Sequence, residues 1–268
     1  MKRLLFVLLT LIISFTSFKE KPKSKVILAI VAHPDDEGAI PQVLAKYGKE
    51  NKVYVIIATD GRYGVMAGYS AGDTLANIRK KESECACKTL GIQPPIFLGF
   101  HDGMGLMTGM DIGSKMGEYF KQTVELKEKL KEKIEQLNPD IIITFGPDGD
   151  TGHPDHRIIG AITTEIILRE DWVKRFPLYY IAWSQKDSDK YKKATGFGLG
   201  TVNSKLYNVT INYSEEDEDK GLASLKCYVS QGPPLEEINK LAEAEKKDKT
   251  NTLYFRQLAV SANKKTGF

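Results

Sequence analysis

Apolar and polar positions follow two different periods along this chain. Short runs rich in Val, Ile and Leu are followed by longer segments in which apolar residues recur at helical spacing. The short runs predict buried strands, and the longer segments predict helices. The six predicted strands are residues 26–32, 52–58, 95–98, 140–145, 178–183 and 206–211. Strands that alternate with helices predict an α/β protein, a three-layer Rossmann-like sandwich with a mainly parallel sheet.

Three segments between the strands have distinct patterns. Residues 113–137 place Leu126, Leu130 and Ile134 on one face and Lys/Glu residues on the other, which predicts a surface helix over a sheet. Ser214 precedes an acidic run, a pattern typical of a helix N-cap. Residues 187–204 are rich in Lys, Gly and Ser/Thr without a clear period, and they predict a long loop near a site.

The first residues of the chain have the order of a targeting signal. Lys2 and Arg3 precede an apolar run that ends at residue 18, and residues 19–25 are strongly charged. This order predicts a secretory signal peptide over residues 1–18, or a few residues further, and therefore an exported protein. The run is shorter than the roughly 20 apolar residues of a membrane span, so an uncleaved N-terminal anchor is the alternative. The folded domain is then expected over residues 25–268.

Composition excludes several classes of protein. Of the 268 residues, 41% are hydrophobic and 27% are charged, which is typical of a globular protein and not of a disordered or coiled-coil chain. The net charge of +3 is too small to indicate nucleic acid as a partner. The cysteines Cys85, Cys87 and Cys227 are odd in number and lack CxxC spacing. They predict neither a disulfide framework nor a cysteine zinc site.

Candidate chemistry begins where the first predicted strand ends. The strand runs directly into an imidazole and three carboxylates, in the order His33-Pro34-Asp35-Asp36-Glu37. His33 and Asp36 are three positions apart, so their side chains converge if the turn continues into a helix. Asp35 then points elsewhere and stays free.

A second cluster follows the fourth predicted strand. It contains His153, Asp155 and His156, again with two ligand-type residues three positions apart. In a doubly wound sheet of order 3-2-1-4-5-6, the first and fourth strands are neighbours, and ligands bind at their carboxyl ends. We therefore expect both clusters to face one crevice. The fourth histidine, His101, also follows a predicted strand on this edge.

These residue types favour one kind of metal chemistry. Two imidazoles and one carboxylate suit a zinc ion that keeps a coordination position open for water. Such an ion lowers the pKa of its water, and a free carboxylate beside it accepts the proton. Asp35, Asp155 and one histidine remain once the metal is satisfied, so the pattern predicts a hydrolytic site.

The two clusters resemble the LmbE-like or PIG-L family of zinc-dependent N-acetylglucosaminyl deacetylases. The resemblance depends mainly on two motifs, Ala32-His33-Pro34-Asp35-Asp36-Glu37 and Gly152-His153-Pro154-Asp155-His156. Weaker family-like segments are residues 58–64, 79–82, 90–91, 98–103, 178–180 and 220–231. Together they extend over roughly residues 26–231, and the paired motifs are highly specific.

The resemblance implies a role for each site residue. Zinc, or alternatively iron, would be held by His33, Asp36 and His156, with Asp35 as general base. His153 would stabilise the oxyanion or protonate the leaving amine, and Asp155 would orient it. Arg79 and Asp102 match positions that the family uses for sugar hydroxyls. The chain departs from family patterns at Thr151, where some members carry Tyr, and at Tyr228, where His is frequent.

The implied activity is removal of the N-acetyl group from an N-acetylglucosamine-containing glycan or glycoconjugate, with release of acetate and a free amine. Two alternatives stay open. One is a zinc hydrolase that acts on another amide or an ester, and the other is a secreted carbohydrate-binding protein without turnover. A spare carboxylate at Asp35 argues against the binder, because a binding module needs no base beside its metal.

Overall fold

The computed structural model describes residues 24–64, 68–103, 112–196, 198–231 and 251–259. The strands in this part of the chain are β1 (Val26–Val31), β2 (Lys52–Thr59), β3 (Ile96–Phe100), β4 (Ile141–Thr144), β5 (Leu178–Ala182), β6 (Val209–Asn212) and β7 (Thr252–Gln257). The α-helices are α1 (Pro41–Gly48), α2 (Asp73–Leu90), α3 (Ile112–Leu137), α4 (Pro154–Arg169), α5 (Gln185–Thr195) and α6 (Glu215–Leu225). A short 3-10 helix, Asp36–Ala39, follows β1, and another covers Ser204–Leu206.

The strands form one mainly parallel sheet of order β3-β2-β1-β4-β5-β7-β6. β1 pairs in parallel with both β2 and β4, so the strand order reverses between β1 and β4 as predicted. β7 lies outside the six predicted strands and pairs antiparallel with β5 and β6. Its alternate residues Leu253 and Phe255 are buried, which is the pattern of a strand with one face on the core.

Helices cover the sheet, which confirms the predicted three-layer α/β architecture. α1 and α2 both pack against α6, and α3 packs against α4. Leu126, Leu130 and Ile134 of α3 are fully buried, as the helical period of residues 113–137 predicts. β1 is buried on both faces, as expected for a central parallel strand.

The predicted loop over residues 187–204 is wrong in its first half, because residues 187–195 belong to α5. Ser184 caps this helix: its hydroxyl accepts from the amide of Asp187, and the Asp187 carboxylate accepts from the amide of Ser184. Such a capping box stabilises a helix whose polar sequence has little apolar periodicity. Ser214 and Asp217 form the same motif at the start of α6, which confirms that predicted N-cap.

The cysteine pattern predicts no disulfide framework, and the structure contains one disulfide that this prediction missed. Cys85 on α2 is bonded to Cys227, which follows α6, with their Cα atoms 5.8 Å apart. The packing of α2 against α6 brings the two thiols together, although 142 positions separate them in the sequence. An odd cysteine count does not exclude one such pair. The third, Cys87, is free and buried, and burial raises the pKa of its thiol.

The predicted signal peptide, residues 1–18, lies outside the described residues. Among the helices of the described residues, none has the length and apolar character needed to cross a membrane.

Candidate active site

Two loops meet at the carboxyl edge of the sheet, one after β1 and one after β4. The first carries His33, and the second ends at the start of α4 with His153 and His156. The ring centroid of His33 lies 4.7 Å from that of His153 and 5.2 Å from that of His156. The two predicted clusters therefore form one site, because β1 and β4 are adjacent parallel strands.

Asp36 joins the two loops through its carboxylate. Its Oδ1 lies 3.0 Å from Nε2 of His156, and its Oδ2 lies 3.5 Å from Nδ1 of His33. Oδ2 also accepts from the backbone amides of Ala32 and His33 at 2.9 and 2.7 Å, which fixes the carboxylate in place. Burial alone would raise the pKa of Asp36, but the two histidines outweigh burial and hold the pKa well below its usual value.

His156 is held so that its Nε2 faces Asp36. Its Nδ1 lies 3.1 Å from the carbonyl oxygen of Gly149, and its ring stacks on Phe145 with centroids 4.2 Å apart. A hydrogen bond from Nδ1 to a carbonyl oxygen leaves Nε2 as the nitrogen available to a metal. Burial lowers the pKa of His156, but Asp36 raises it by more.

Aspartate carboxylates lie near both ring nitrogens of His33. Its Nε2 lies 3.1 Å from Oδ1 of Asp102 and 3.2 Å from Oδ2 of Asp155. Asp155 is fully buried and also accepts from the amide of Gly103 at 2.9 Å. Carboxylates that receive the second N–H of a ligating imidazole are typical partners at metal sites. Burial lowers the pKa of His33, and Asp36, Asp102 and Asp155 together raise it well above its usual value.

The donor atoms fit a metal ion. Ligand atoms of His33, His153 and His156 lie within 4.8 Å of one another, and so do those of His33, Asp102 and Asp155. Buried carboxylates at this density are stabilised by compensating positive charge, which a divalent cation would supply. Mixed imidazole and carboxylate donors suit zinc or iron.

The carboxylate of Asp35 has a different partner from that of Asp36. Its backbone has a φ of 112°, in a region that non-glycine residues seldom adopt. The carboxylate lies 3.1 Å from Nη2 of Arg79, and one third of the side chain is exposed. Desolvation by the surrounding protein raises the pKa of Asp35 to about 6, although Arg79 opposes this rise.

His153 is the N-cap of α4 and is half-buried. Its Nδ1 accepts from the backbone amide of Asp155 at 3.2 Å. In the neutral ring the proton is then on Nε2, where it can be donated to a ligand. Burial lowers the pKa of His153, and the neighbouring His33 and His156 lower it further.

Comparison with known protein families identifies the family of this chain. A family model described as "PIG-L: GlcNAc-PI de-N-acetylase" matches residues 28–167, which is more than half of the chain. The chain belongs to the PIG-L family. The match contains both histidine clusters of the site.

Curated relatives of this PIG-L chain are deacetylases of N-acetylglucosamine conjugates. One is a 1D-myo-inositol 2-acetamido-2-deoxy-alpha-D-glucopyranoside deacetylase of Mycolicibacterium vanbaalenii, 29% identical over 73% of this chain and 73% of the relative. Another is a probable N-acetyl-alpha-D-glucosaminyl L-malate deacetylase 2 of Bacillus cereus, 29% identical over 58% of this chain and 67% of the relative.

A solved structure has the same fold. The N,N'-diacetylchitobiose deacetylase of Pyrococcus horikoshii superposes with a TM-score of 0.58 at 21% identity, over 88% of this chain and 84% of the other. Members of the family are metal-dependent deacetylases, and the cluster of histidine and aspartate side chains gives this chain a group that can bind a metal.

The prediction that this PIG-L chain is exported is contradicted by the comparison. The relatives that it matches are cytosolic deacetylases. The prediction depends only on composition, namely an apolar segment after two basic residues.

The structure gives several predicted site residues of this PIG-L chain unexpected partners. The carboxylate of Asp155 contacts His33, and its backbone amide donates to Nδ1 of His153. Asp102 accepts from the amide of Tyr63 at 3.0 Å, and its contact with His33 holds its pKa at about 2 against the effect of burial. The predicted contacts of Arg79 and Asp102 with sugar hydroxyls stay predictions. His101 is exposed.

Sequence reasoning missed a buried pair behind the site. The hydroxyl of Tyr228 donates to Oε1 of Glu37, and both side chains are almost fully buried. Burial raises the pKa of Glu37 to about 7, although the hydrogen bond from Tyr228 opposes this rise. The sequence contained one signal. Glu37 directly follows Asp36 in the motif after β1, and Tyr228 stands where family members frequently carry His.

A second missed contact supports the loop after β4. Trp183 at the end of β5 donates its indole N–H to Oδ1 of Asp150. Burial raises the pKa of Asp150 to about 6, and His156 opposes this rise. Asp150 has a φ of 61°, so the Trp183 contact holds the loop in a backbone conformation that non-glycine residues seldom adopt.

Proposed function

We propose that this chain is a zinc-dependent hydrolase that removes the N-acetyl group from an N-acetylglucosamine-containing glycan or glycoconjugate. One observation carries the proposal. Asp36 lies between His33 and His156, whereas the adjacent Asp35 is partly exposed and paired with Arg79. Two neighbouring carboxylates thus have different surroundings, as ligand and base chemistry require.

His33, Asp36 and His156 would hold the zinc ion. The atoms that face one another are Nδ1 of His33, the carboxylate oxygens of Asp36 and Nε2 of His156. Each residue is oriented by a further hydrogen bond or carboxylate contact. When bound there, zinc supplies Lewis-acid polarisation of the acetamide carbonyl and a lower pKa for the attacking water. Iron(II) is an alternative occupant because it accepts the same donor types.

Asp35 would act as the general base. Its carboxylate is exposed enough to reach a water molecule at the site, and a pKa of about 6 lies close to neutral pH. A base is most effective when its pKa lies near the working pH. A cation at the neighbouring ligands favours the ionised carboxylate, which keeps Asp35 ready to accept the proton.

His153 would stabilise the developing oxyanion. Its Nε2–H is available because Nδ1 already accepts from the backbone amide of Asp155. A neutral donor at this position is consistent with the lowered pKa of His153. When the C–N bond breaks, the proton that Asp35 took from water is returned to the leaving nitrogen, so acetate and an amine are released in balance.

The substrate class follows from the relatives and not from the geometry. Both curated relatives are named for substrates that carry a 2-acetamido-glucose unit on a polar group, inositol in one case and malate in the other. A glucosamine conjugate of this kind is therefore the substrate that we propose.

The experiment that tests this function is acetate release by the purified protein. The substrates are free N-acetylglucosamine, N,N'-diacetylchitobiose, and N-acetylglucosamine linked to inositol and to malate, with p-nitrophenyl acetate as a simple ester. We expect release from at least one sugar, loss of activity with a chelator, and recovery with zinc.

Two results would refute the proposal. Turnover of the ester alone would favour a hydrolase of other acyl groups. Calorimetric binding of a sugar without acetate release, at full metal occupancy, would favour a carbohydrate-binding protein.

A further inference from the structure

Tyr63 is an exposed aromatic residue in the loop after β2, at the carboxyl edge of the sheet. Its backbone is fixed beside the site, because its amide donates to Oδ2 of Asp102 at 3.0 Å. The other oxygen of this carboxylate, Oδ1, lies 3.1 Å from Nε2 of His33. Tyr63 is therefore anchored only one side chain away from a proposed metal ligand.

The ring of Tyr63 borders the loop after β3. A Cβ atom added at Gly103 would lie 3.5 Å from Cδ2 and 4.0 Å from Cε2 of the ring, which is ordinary van der Waals contact. The amide of Gly103 donates to Oδ2 of Asp155 at 2.9 Å, and this carboxylate also contacts Nε2 of His33. The backbone of Tyr63 and the loop beside its ring are thus both tied to the carboxylates around His33. Because 58% of the residue is exposed, much of the ring is open to solvent.

An exposed aromatic ring at this position suits a site that binds a sugar. One face of a pyranose presents C–H groups, and an aromatic ring offers them a flat surface for packing. Tyrosine supplies this contact area at a low cost in conformational entropy, because its side chain has only two χ angles. Single exposed apolar residues are common on protein surfaces. Two features distinguish Tyr63 from these residues: its amide is bonded to Asp102, and its ring lies beside Gly103.

We propose that the ring of Tyr63 is the surface on which the glucosamine ring of the substrate packs. The inference rests on the proposed function, because that function supplies the sugar. The carbon atoms of the sugar ring do not react, so the packing is the same in the ground state and in the transition state. An interaction of this kind lowers KM and leaves kcat unchanged. The contact is made by the face of the ring and does not require the hydroxyl group.

The first test compares three substitutions of Tyr63. We expect Tyr63→Ala to raise KM for every accepted N-acetylglucosamine substrate by roughly 5- to 20-fold, with kcat changed by less than about twofold. Tyr63→Phe and Tyr63→Trp should keep KM near that of the wild type, because both retain an aromatic face. Phe120→Ala is the matched control, since it removes a ring that is also 58% exposed, on α3, and it should match the wild type.

A second test needs no turnover. Calorimetry on the zinc-loaded Asp35→Asn protein measures binding of N-acetylglucosamine and of N,N'-diacetylchitobiose without their hydrolysis. In this background, Tyr63→Ala should weaken the binding of both sugars by a factor similar to the change in KM, and Tyr63→Phe should not. Because most of the Tyr63 side chain is exposed, its loss should leave the melting temperature close to that of the parent protein.

The outcomes distinguish this inference from the proposed function. Sugar binding that depends on the ring of Tyr63, in a wild type that releases no acetate, would support the inference and refute the deacetylase. Absence of sugar binding by the wild type would refute both. In an active wild type, a lower kcat with KM unchanged in Tyr63→Ala would refute the inference, as would an equal loss in Tyr63→Phe, which would make the hydroxyl the contact. A change in KM for the conjugates but not for free N-acetylglucosamine would place the ring on the attached group and refute the glucosamine contact.

Discussion

Oδ1 of Asp36 lies 3.0 Å from Nε2 of His156, so the loop after β1 is held against the first turn of α4. The two residues follow different strands, and they meet because those strands are neighbours in the sheet. Asp35, one position earlier, has its own partner in Arg79 and takes no part in this contact. The different surroundings of the two aspartates lead directly to different expected effects of mutation.

The aspartate pair gives the first prediction. Asp36→Ala should lose bound metal and activity together, because it removes a proposed ligand and the link between two loops. Asp35→Asn should keep its metal and lose roughly 10²- to 10⁴-fold in rate, because the amide keeps the shape but accepts no proton. Metal analysis of folded, purified variants, together with acetate release, checks both. A metal-free but folded Asp35→Asn protein would mean that the two roles are reversed.

His153 gives the second prediction. His153→Ala should retain its metal and lose activity, since the proposed ligand is His156, whose Nε2 faces Asp36. Removal of one oxyanion donor costs about 10²- to 10³-fold in kcat. His156→Ala is the comparison variant and should lose the metal. Equal metal contents in the two alanine variants would contradict this assignment.

The disulfide between Cys85 and Cys227 gives the third prediction. Replacing both with serine should lower the free energy of unfolding by about 2–4 kcal/mol, because the bond closes a long loop of the unfolded chain. Urea unfolding with and without a reductant measures this effect. Cys87→Ala is the control, since it should leave the response to reductant intact. Three reactive thiols in the denatured, unreduced protein, in place of one, would contradict the bond.

Buried Glu37 gives the fourth prediction, a dependence of stability on pH. The pKa of Glu37 rises from an ordinary 4.5 to about 7 in the folded state. Between these values the folded state keeps a proton that the unfolded state releases, so this residue makes unfolding easier as the pH rises. Glu37→Gln should remove this part of the decrease, up to about 3 kcal/mol, and still accept the hydrogen bond of Tyr228.

The measurement is chemical unfolding of chelator-treated protein at several pH values between 4.5 and 7.5. Chelation keeps metal release from adding its own pH dependence. Glu50→Gln, at an exposed position, is the control and should follow the wild type. A Glu37→Gln curve parallel to that of the wild type would show that Glu37 titrates normally.

Local pattern was sufficient for the strands β1 to β5 and for the position of the site. Runs of β-branched residues identify buried strands, and α3 shows its apolar face at helical spacing. The motif around Asp36 and the motif around His156 each follow such a strand. A parallel sheet with its switch point between them then places both at one edge.

The same local reasoning failed where the signal was polar or remote. α5 has few apolar residues and depends on the capping box of Ser184 and Asp187. β7 pairs with β5 and β6, which are distant from it in the sequence, so the residues next to β7 do not indicate its partners.

By itself, therefore, the sequence determined the strands β1 to β5 and which histidines and aspartates stand at the carboxyl edge of the sheet. Only the tertiary structure decided which distant groups pair: Cys85 with Cys227, Tyr228 with Glu37, and Arg79 with Asp35. The physical reason is that hydrophobic periodicity and helix capping depend on residues a few positions apart within one element. Side-chain pairing between elements depends on how the helices pack on the sheet and on one another.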